Sequence, residues 1–157
     1  MTNGGGMKPP DLKGDGRMPE PWTLFHGVRE FPEGTRTAQD AAAAIGCGVG
    51  QIVKSLVFVR DDEPVLVLCS GANTVDAGRL GLAKADADLV RRATGFAIGG
   101  VPPYGHPARL ETLVDEDLLG HDELWAAAGT PRSVFPLTPA ELVERSGGTV
   151  ARVSPAS

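Results

Sequence analysis

The chain has 157 residues, 41% of them hydrophobic, and a formal net charge of −5. That length suits a single domain with its own core, and the acidic balance argues against a protein that coats nucleic acid with a basic face, while leaving room for one that grips a few phosphates at one point. Two cysteines with no CxxC and no metal-like clustering, no apolar run of membrane length and no apolar signal-peptide centre point to a soluble protein in a reducing, cytoplasmic setting.

Residues 1–20 hold glycine, proline and charge with almost nothing to bury, and read as a disordered tail ahead of one domain over 21–157. Trp22 to Val28 is the first segment with apolar character and is expected as a short strand, followed by a loop from Phe31 to Arg36. Thr37 then caps a helix. Asp40 stands three residues on, close to a capping-box pattern, Ala41 to Ile45 continue the helix, and Gly46, Gly48 and Gly50 stop it.

The next nine residues, Gln51 to Val59 (QIVKSLVFV), read as the strand around which the chain is organised. Six are apolar and four of those are valine or isoleucine, side chains that favour a pleated strand. Ile52, Leu56 and Phe58 fall on one face and Val53, Val57 and Val59 on the other, so the strand is expected to be central and covered on both sides. Lys54 interrupts it, on the face of Leu56 and Phe58. A lysine is almost never fully buried without a partner. Lys54 therefore either snorkels to the surface, as edge-strand lysines do, or reaches into a cleft where an anionic group is expected.

Asp61-Asp62 makes a turn, and Pro64 to Cys69 returns as the second strand of a hairpin. Ser70-Gly71-Ala72-Asn73 breaks that strand, in a loop whose polar groups can share the cleft of Lys54. Thr74 is expected to cap a short helix over Val75–Leu82, and Asp86 another over Ala87–Thr94, ended by Gly95. Phe96 to Ile98 reads as a short strand delivering Gly99–Pro107 (GGVPPYGHP), where three glycines and three prolines exclude helix. Glycine lets backbone approach a ligand closely, and proline holds the loop's shape, so the loop can present N–H and C=O groups with little reorganisation. Taken alone it reads first as an ordinary tight connection. Its combination with Lys54 makes it a candidate site.

Arg109 to Val114, Leu124 to Ala128 and Ser133 to Leu137 look like further strands, the first two separated by an acidic turn at Asp115 to Asp122. Thr138-Pro139-Ala140-Glu141 supplies an N-cap, proline at N1 and glutamate at N3. That helix ends near Gly147-Gly148, and Thr149 to Val153 closes the chain as a strand. Hairpins mixed with crossovers imply an α/β (mixed α+β) domain, its central sheet mostly antiparallel or mixed and flanked by short helices, in preference to a doubly wound parallel sheet.

The usual catalytic constellations are missing. His26, His106 and His121 are scattered without metal-site spacing, and there is no GxSxG and no P-loop, so neither a metal nor a cofactor is expected. Cys69 is a candidate nucleophile, although a strand-end cysteine is more often inert packing. His106 is either a general base or an exposed loop residue. By themselves the residues reach a soluble α/β domain with a lysine-lined cleft under a rigid glycine loop.

The runs GQIVKSLVF, SGAN, TGFAIGGVPPYGH and AAAGTPRSVFPLTPAEL, in that order within Thr37–Val153, resemble the YbaK/EbsC family of aminoacyl-tRNA deacylases, relatives of the editing domain inserted in bacterial prolyl-tRNA synthetases. The resemblance implies trans-editing: hydrolysis of the ester between a wrong amino acid (cysteine, alanine or another small one) and tRNA for proline. Its partners would be the acceptor end of a mischarged tRNA and prolyl-tRNA synthetase, with the protein a monomer or homodimer. The family's essential lysine falls on Lys54, the first glycine of its G-x-x-x-P loop on Gly99 and the proline on Pro103. Gly100 is expected to join Gly99 at the substrate carbonyl, with Ser55, Gly71, Asn73, Val101, Pro102, Pro103 and His106 around the substrate.

Such editing has a physical reason, since a proline-sized pocket cannot strongly reject amino acids as small or smaller. An aminoacyl ester is already activated, so positioning and oxyanion stabilisation suffice, with water or a substrate group as nucleophile and no triad. Two features depart from the usual pattern: the segment between Asp76 and Asp86 is short, and Ser55 follows the lysine where subfamilies differ. The competing reading is a binding module of the same fold without turnover, which Lys54 and the intact loop speak against.

Overall fold

The computed structural model describes residues 25–34 and 37–155. Along these run β1 (Arg29–Glu30), α1 (Ala38–Ile45), β2 (Ile52–Arg60), β3 (Glu63–Ser70), α2 (Ala77–Leu80), β4 (Ala83–Lys84), α3 (Ala87–Thr94), β5 (Glu111–Asp115), β6 (Leu124–Ala127), β7 (Ser133–Leu137), α4 (Pro139–Ser146) and β8 (Thr149–Ala151), with single 3-10 turns at Val49–Gln51 and Glu116–Gly120.

Local chemistry sets most boundaries. Thr37 accepts from the Asp40 N–H, Asp86 from the Leu89 N–H, and Thr138 with Glu141 closes a capping box behind Pro139. Gly46, Gly95 and Gly147 end those helices in the left-handed region, which glycine enters without steric cost. Asp61 and Asp62 both take positive φ, 51° and 65°. That is the two-residue hairpin geometry whose twist matches the flanking strands, and it fixes the β2–β3 register from Arg60↔Glu63 to Val53↔Ser70.

The strands form one mixed sheet in the order β1-β7-β6-β2-β3-β5-β8, with β4 paired to β2 off that path. This is the mixed sheet flanked by short helices that the alternation of elements implies. β3 lies at its buried centre, with Val65 to Cys69 wholly unexposed. One face packs Val53, Val57, Leu66 and Leu68 against Phe25, Val90 and Phe135. The other packs Val65, Val67 and Cys69 against Leu82 and Val153.

Four expectations are corrected. The strand expected over Trp22–Val28 is absent from its described part: Phe25 to Val28 is irregular, and the strand is Arg29–Glu30, paired with β7. Phe25 is apolar because it plugs the core, stacked on Phe135 at 4.3 Å between ring centres. Trp22 to Leu24, residues 1–20, and Thr35 and Arg36 of the expected loop lie outside the described residues. The helix expected over Val75–Leu82 shrinks to Ala77–Leu80, because Asp76 rather than Thr74 is the cap and accepts from the Arg79 N–H. Phe96 to Ile98 is no strand: Thr94 Oγ1 accepts from the Phe96 N–H, and the chain turns at once, Gly100 N–H donating to Ala97 C=O.

The fourth correction creates the site. β2 is central in the strand order, yet it is not covered along its whole length. On the side away from β3, β6 pairs with Ile52 and Val53, and β4 with Phe58 and Val59. No described strand lies alongside Lys54 to Val57. The sheet is split there, and Lys54, Ser55, Leu56 and Phe58 are only half-buried.

Candidate functional site

A cavity of about 560 Å³ occupies the split. Its wall takes Ile52 to Phe58 from β2, Thr37 to Gln39 and Ala41 from the start of α1, Gly71, Lys84 and Ala85, Val90, Ile98, Gly99, Val101, Trp125 to Ala127, and Val134. Most of these side chains are aliphatic. Among the described residues of the wall the charged ones are Lys54 and Lys84, and none is a carboxylate.

Strand geometry decides what β2 shows to the cavity. The Gly71 N–H donates to Ile52 C=O at 2.7 Å, so Ile52, Lys54, Leu56 and Phe58 turn their backbone groups toward β3. Ser55, of opposite parity, turns its N–H and C=O into the split. Its hydroxyl lies on the face of Val53 and Val57. Ser55 Oγ is buried and has no hydrogen-bond partner, alone in this among buried side-chain atoms of the described residues. An orphaned buried hydroxyl costs about 1–3 kcal/mol, so its presence asks for a reason.

Lys54 leaves the other face. Its Nζ donates to the Asn73 C=O at 2.6 Å, which aims the ammonium at the Ser70–Asn73 loop. That loop is itself clamped: Asn73 Nδ2 donates to Asp115 Oδ2 at 2.9 Å and to Asp117 Oδ2 at 2.8 Å. Asp115, fully buried, also accepts from the Ser70 N–H at 3.0 Å and, through Oδ1, from the Asp117 N–H at 3.0 Å. The chain Asp115–Asn73–Lys54 therefore fixes the cation from behind. Gly71 has to be glycine in this loop, because an added Cβ would stand 2.5 Å from Val49 O and 2.8 Å from Ala38 Cβ.

The glycine–proline loop divides its duties. Gly99 lies in the cavity wall at φ +90°, and its N–H has no partner among the described residues. Gly100 lies outside the wall. Its N–H closes the turn onto Ala97, and an added Cβ would meet the Thr130 backbone at 2.8 Å, so its smallness lets the loop pack on the Gly129–Pro131 turn. Val101 is buried and part of the wall. Pro102, Pro103, His106 and Asn73 are not in the wall.

His106 Nε2 lies 2.8 Å from the Pro102 C=O. A carbonyl only accepts, so Nε2 carries the proton and the ring braces the loop. Burial pushes the pKa of this imidazole down. Cys69, opposite Lys54 in the hairpin register, has no exposure and lies outside the wall. Burial pushes its thiol up to about 12, so the thiolate is essentially absent at neutral pH.

Sequence reasoning missed two residues here. Asp115 is hidden in an acidic run, and its role comes from contacts made across the sheet; the available signal is its place at a strand end. Lys84 sits in a strand of two residues, too short to show any periodicity. Among the described residues no group of three or more His, Cys, Asp or Glu is placed to hold a metal ion, and no helix is long and apolar enough to cross a membrane.

Residues 32–144 match the family model of the aminoacyl-tRNA editing domain. The uncharacterized protein YwhH of Bacillus subtilis (strain 168) is 30% identical over 132 residues, covering 80% of this chain and 84% of YwhH. The proline–tRNA ligase of Geobacter sp. (strain M21) is 34% identical over 94 residues, which are 55% of this chain and 16% of the ligase. A solved structure of a protein proposed to be a trans-editing enzyme for prolyl tRNA synthetase matches with a TM-score of 0.78 at 52% identity, covering 82% of this chain and 86% of that one.

Proposed function

The chain belongs to the aminoacyl-tRNA editing domain family, and from that premise we propose that it is a trans-editing deacylase, hydrolysing the ester that joins a wrong small amino acid to tRNA for proline. The observation that carries this reading is the cavity at the split: a mostly aliphatic wall whose charges among the described residues are lysines, and beside them a stretch of β2 backbone with no described strand alongside it.

The parts take distinct roles. The amino-acid side chain enters the aliphatic wall, with Val101 and Ser55 near it. The N–H and C=O of Ser55 meet the polar atoms next to the ester, as an added strand would. Lys54, aimed by Asn73, holds the terminal ribose or its phosphate as a point charge. The free N–H of Gly99 faces the ester carbonyl, where negative charge develops in the transition state. Gly100, Pro102, Pro103 and His106 hold that N–H in place, and Gly71 lets the Lys54 loop pack close.

Water, or a substrate hydroxyl that water later relieves, adds to the carbonyl carbon. The C–O bond to the ribose breaks, the ribose oxygen takes a proton, and the free amino acid leaves. Neither Cys69 nor His106 is needed, which suits a thiol raised to about 12 and a ring tied to a carbonyl. The partners are the acceptor end of the mischarged tRNA and the synthetase that delivers it. Such a role belongs in the cytoplasm, in keeping with two free cysteines.

The test is incubation with tRNA for proline charged with alanine, cysteine, serine or threonine, with prolyl-tRNA as control. Release of at least one wrong amino acid, well ahead of proline, is expected. Binding of the charged tRNAs with no turnover of any would replace this reading with that of a binding module.

A further inference from the structure

The reading above gives work to one of the two lysines among the described residues of the cavity wall. We propose that Lys84 is a second phosphate-binding residue, gripping the sugar–phosphate backbone of the acceptor strand just behind its aminoacylated end; the ligand, though not the geometry, rests on the deacylase reading. β4 is two residues long and pairs with β2 alone, Phe58↔Lys84 and Val59↔Ala83. Residues directly opposite in an antiparallel pair project from the same face. Lys84 therefore shares a face with Phe58, and so with Lys54, four residues back along β2. Four residues of strand span about 13 Å. The two cations flank one opening, with Leu56 and Phe58 between them, far enough apart for each to meet its own phosphate of a single strand.

Three observations point to an anion at Lys84. It is exposed on the cavity wall and makes no hydrogen bond or ion pair among the described residues. Arg60, Arg79, Arg92 and Arg145 are each paired with a carboxylate; Arg91, Arg109, Arg132 and Arg152 have no ion pair among the described residues, but unlike Lys84 none of them lies on the cavity wall. Among the described residues the wall has two lysines and no carboxylate, in a chain whose net charge is −5. Such a local reversal of sign focuses potential on a cleft and draws in anions. A lysine on an edge strand also deters pairing with another chain, but that role leaves substrate affinity untouched.

The experiment uses the full chain as wild type, Lys84→Gln, Lys84→Glu and Lys84→Arg. Deacylation kinetics and binding of an acceptor-stem RNA ending in a non-hydrolysable aminoacyl amide are both measured across a salt series. One single-strand phosphate contact contributes a slope of about 0.7 log units per decade of salt, worth about fivefold between 1 M and 0.1 M. Lys84→Gln should weaken binding and raise KM by about that factor at 0.1 M, leave kcat within about twofold, and flatten the slope by one contact. Lys84→Glu should do more, and Lys84→Arg should restore wild-type values. Unchanged KM, binding and slope in both Lys84→Gln and Lys84→Glu would overturn the proposal, even if the wild type is an active deacylase. Lys84-dependent binding by a wild type that hydrolyses nothing would uphold it while removing the deacylase reading.

Discussion

Lys54 and Ser55 are neighbours in β2 that leave opposite faces of the sheet, and each has its own signature on removal. The partner described for Lys54 is the Asn73 carbonyl, so Lys54→Ala gives up one hydrogen bond, about 1 kcal/mol, and should fold normally. Its kcat/KM should fall by at least about a hundredfold, the scale of losing one pre-organised electrostatic contact. Wild-type turnover by folded Lys54→Ala would remove the lysine from the site. Ser55→Ala deletes an orphaned buried hydroxyl, so stability should rise, by about 1 kcal/mol. If that hydroxyl is kept for the substrate, activity falls as the melting temperature climbs; a more stable variant with unchanged kcat/KM would leave the orphan unexplained by function. His106 gives a pH signature. Its pKa is lowered in the fold by burial, so between the folded value and the ordinary value near 6.5 the unfolded chain binds the extra proton. Stability is thus full above about 6.5 and is lost as pH falls below it, until the ring is protonated in both states. His106→Gln should flatten that acid slope in denaturant titrations, and an unchanged slope would assign the loss to other groups. Lys54 was legible in the sequence because a charge inside an apolar alternation breaks a local rule. Asp115 was not, because its bond to Asn73 joins residues 42 apart in the chain.

At the scale of elements, legibility followed the range of the cause. The eight-residue helices Ala38–Ile45 and Ala87–Thr94 were readable from a side-chain cap and a terminal glycine, and Pro139–Ser146 from its capping box with an end near Gly147; the four-residue Ala77–Leu80, capped by Asp76 and ended by Gly81, was not, because Thr74 two residues earlier offers a competing cap. The hairpin was readable from its turn. The split beside β2 was not, because it depends on where β6 stops and β4 starts, and both are placed by the tertiary fold. The same limit applies to Gly99 and Gly100, adjacent and alike in sequence but different in what they demand. An alanine at Gly99 meets nothing nearer than Pro131 Cβ at 3.8 Å, yet must hold φ +90°. That strain is about 1 kcal/mol or somewhat more. An alanine at Gly100 drives into the Thr130 backbone at 2.8 Å, so the loop must leave the turn it packs on, at a cost of about 1–3 kcal/mol. Gly99→Ala should therefore lose more rate than stability, whereas Gly100→Ala should lower melting temperature and rate together. Gly99→Ala with unaltered kcat would reduce the loop to a connector.

The whole molecule sets how the substrate can be held. A chain with 20 acidic and 15 basic side chains repels a polyanion over most of its surface. Within that field the cavity wall, with two lysines and no carboxylate among its described residues, is a small patch of opposite sign. Long-range attraction is screened beyond about 8–10 Å at physiological salt, so the patch acts on phosphates that reach the cavity and not on the body of a tRNA. Recognition should then be confined to the aminoacylated end. Each neutralised single-strand phosphate contributes about 0.7 to the slope of log affinity against log salt. Two or three contacts predict a slope between about 1.4 and 2.1, weak binding of uncharged tRNA, and nearly equal kcat/KM for a full tRNA and an acceptor-stem fragment bearing the same amino acid. The check is kcat/KM for both substrates over a salt series. A slope equivalent to six or more phosphates, or a fragment that is orders of magnitude poorer than intact tRNA, would mean that this acidic protein grips the tRNA body with a face other than the cavity.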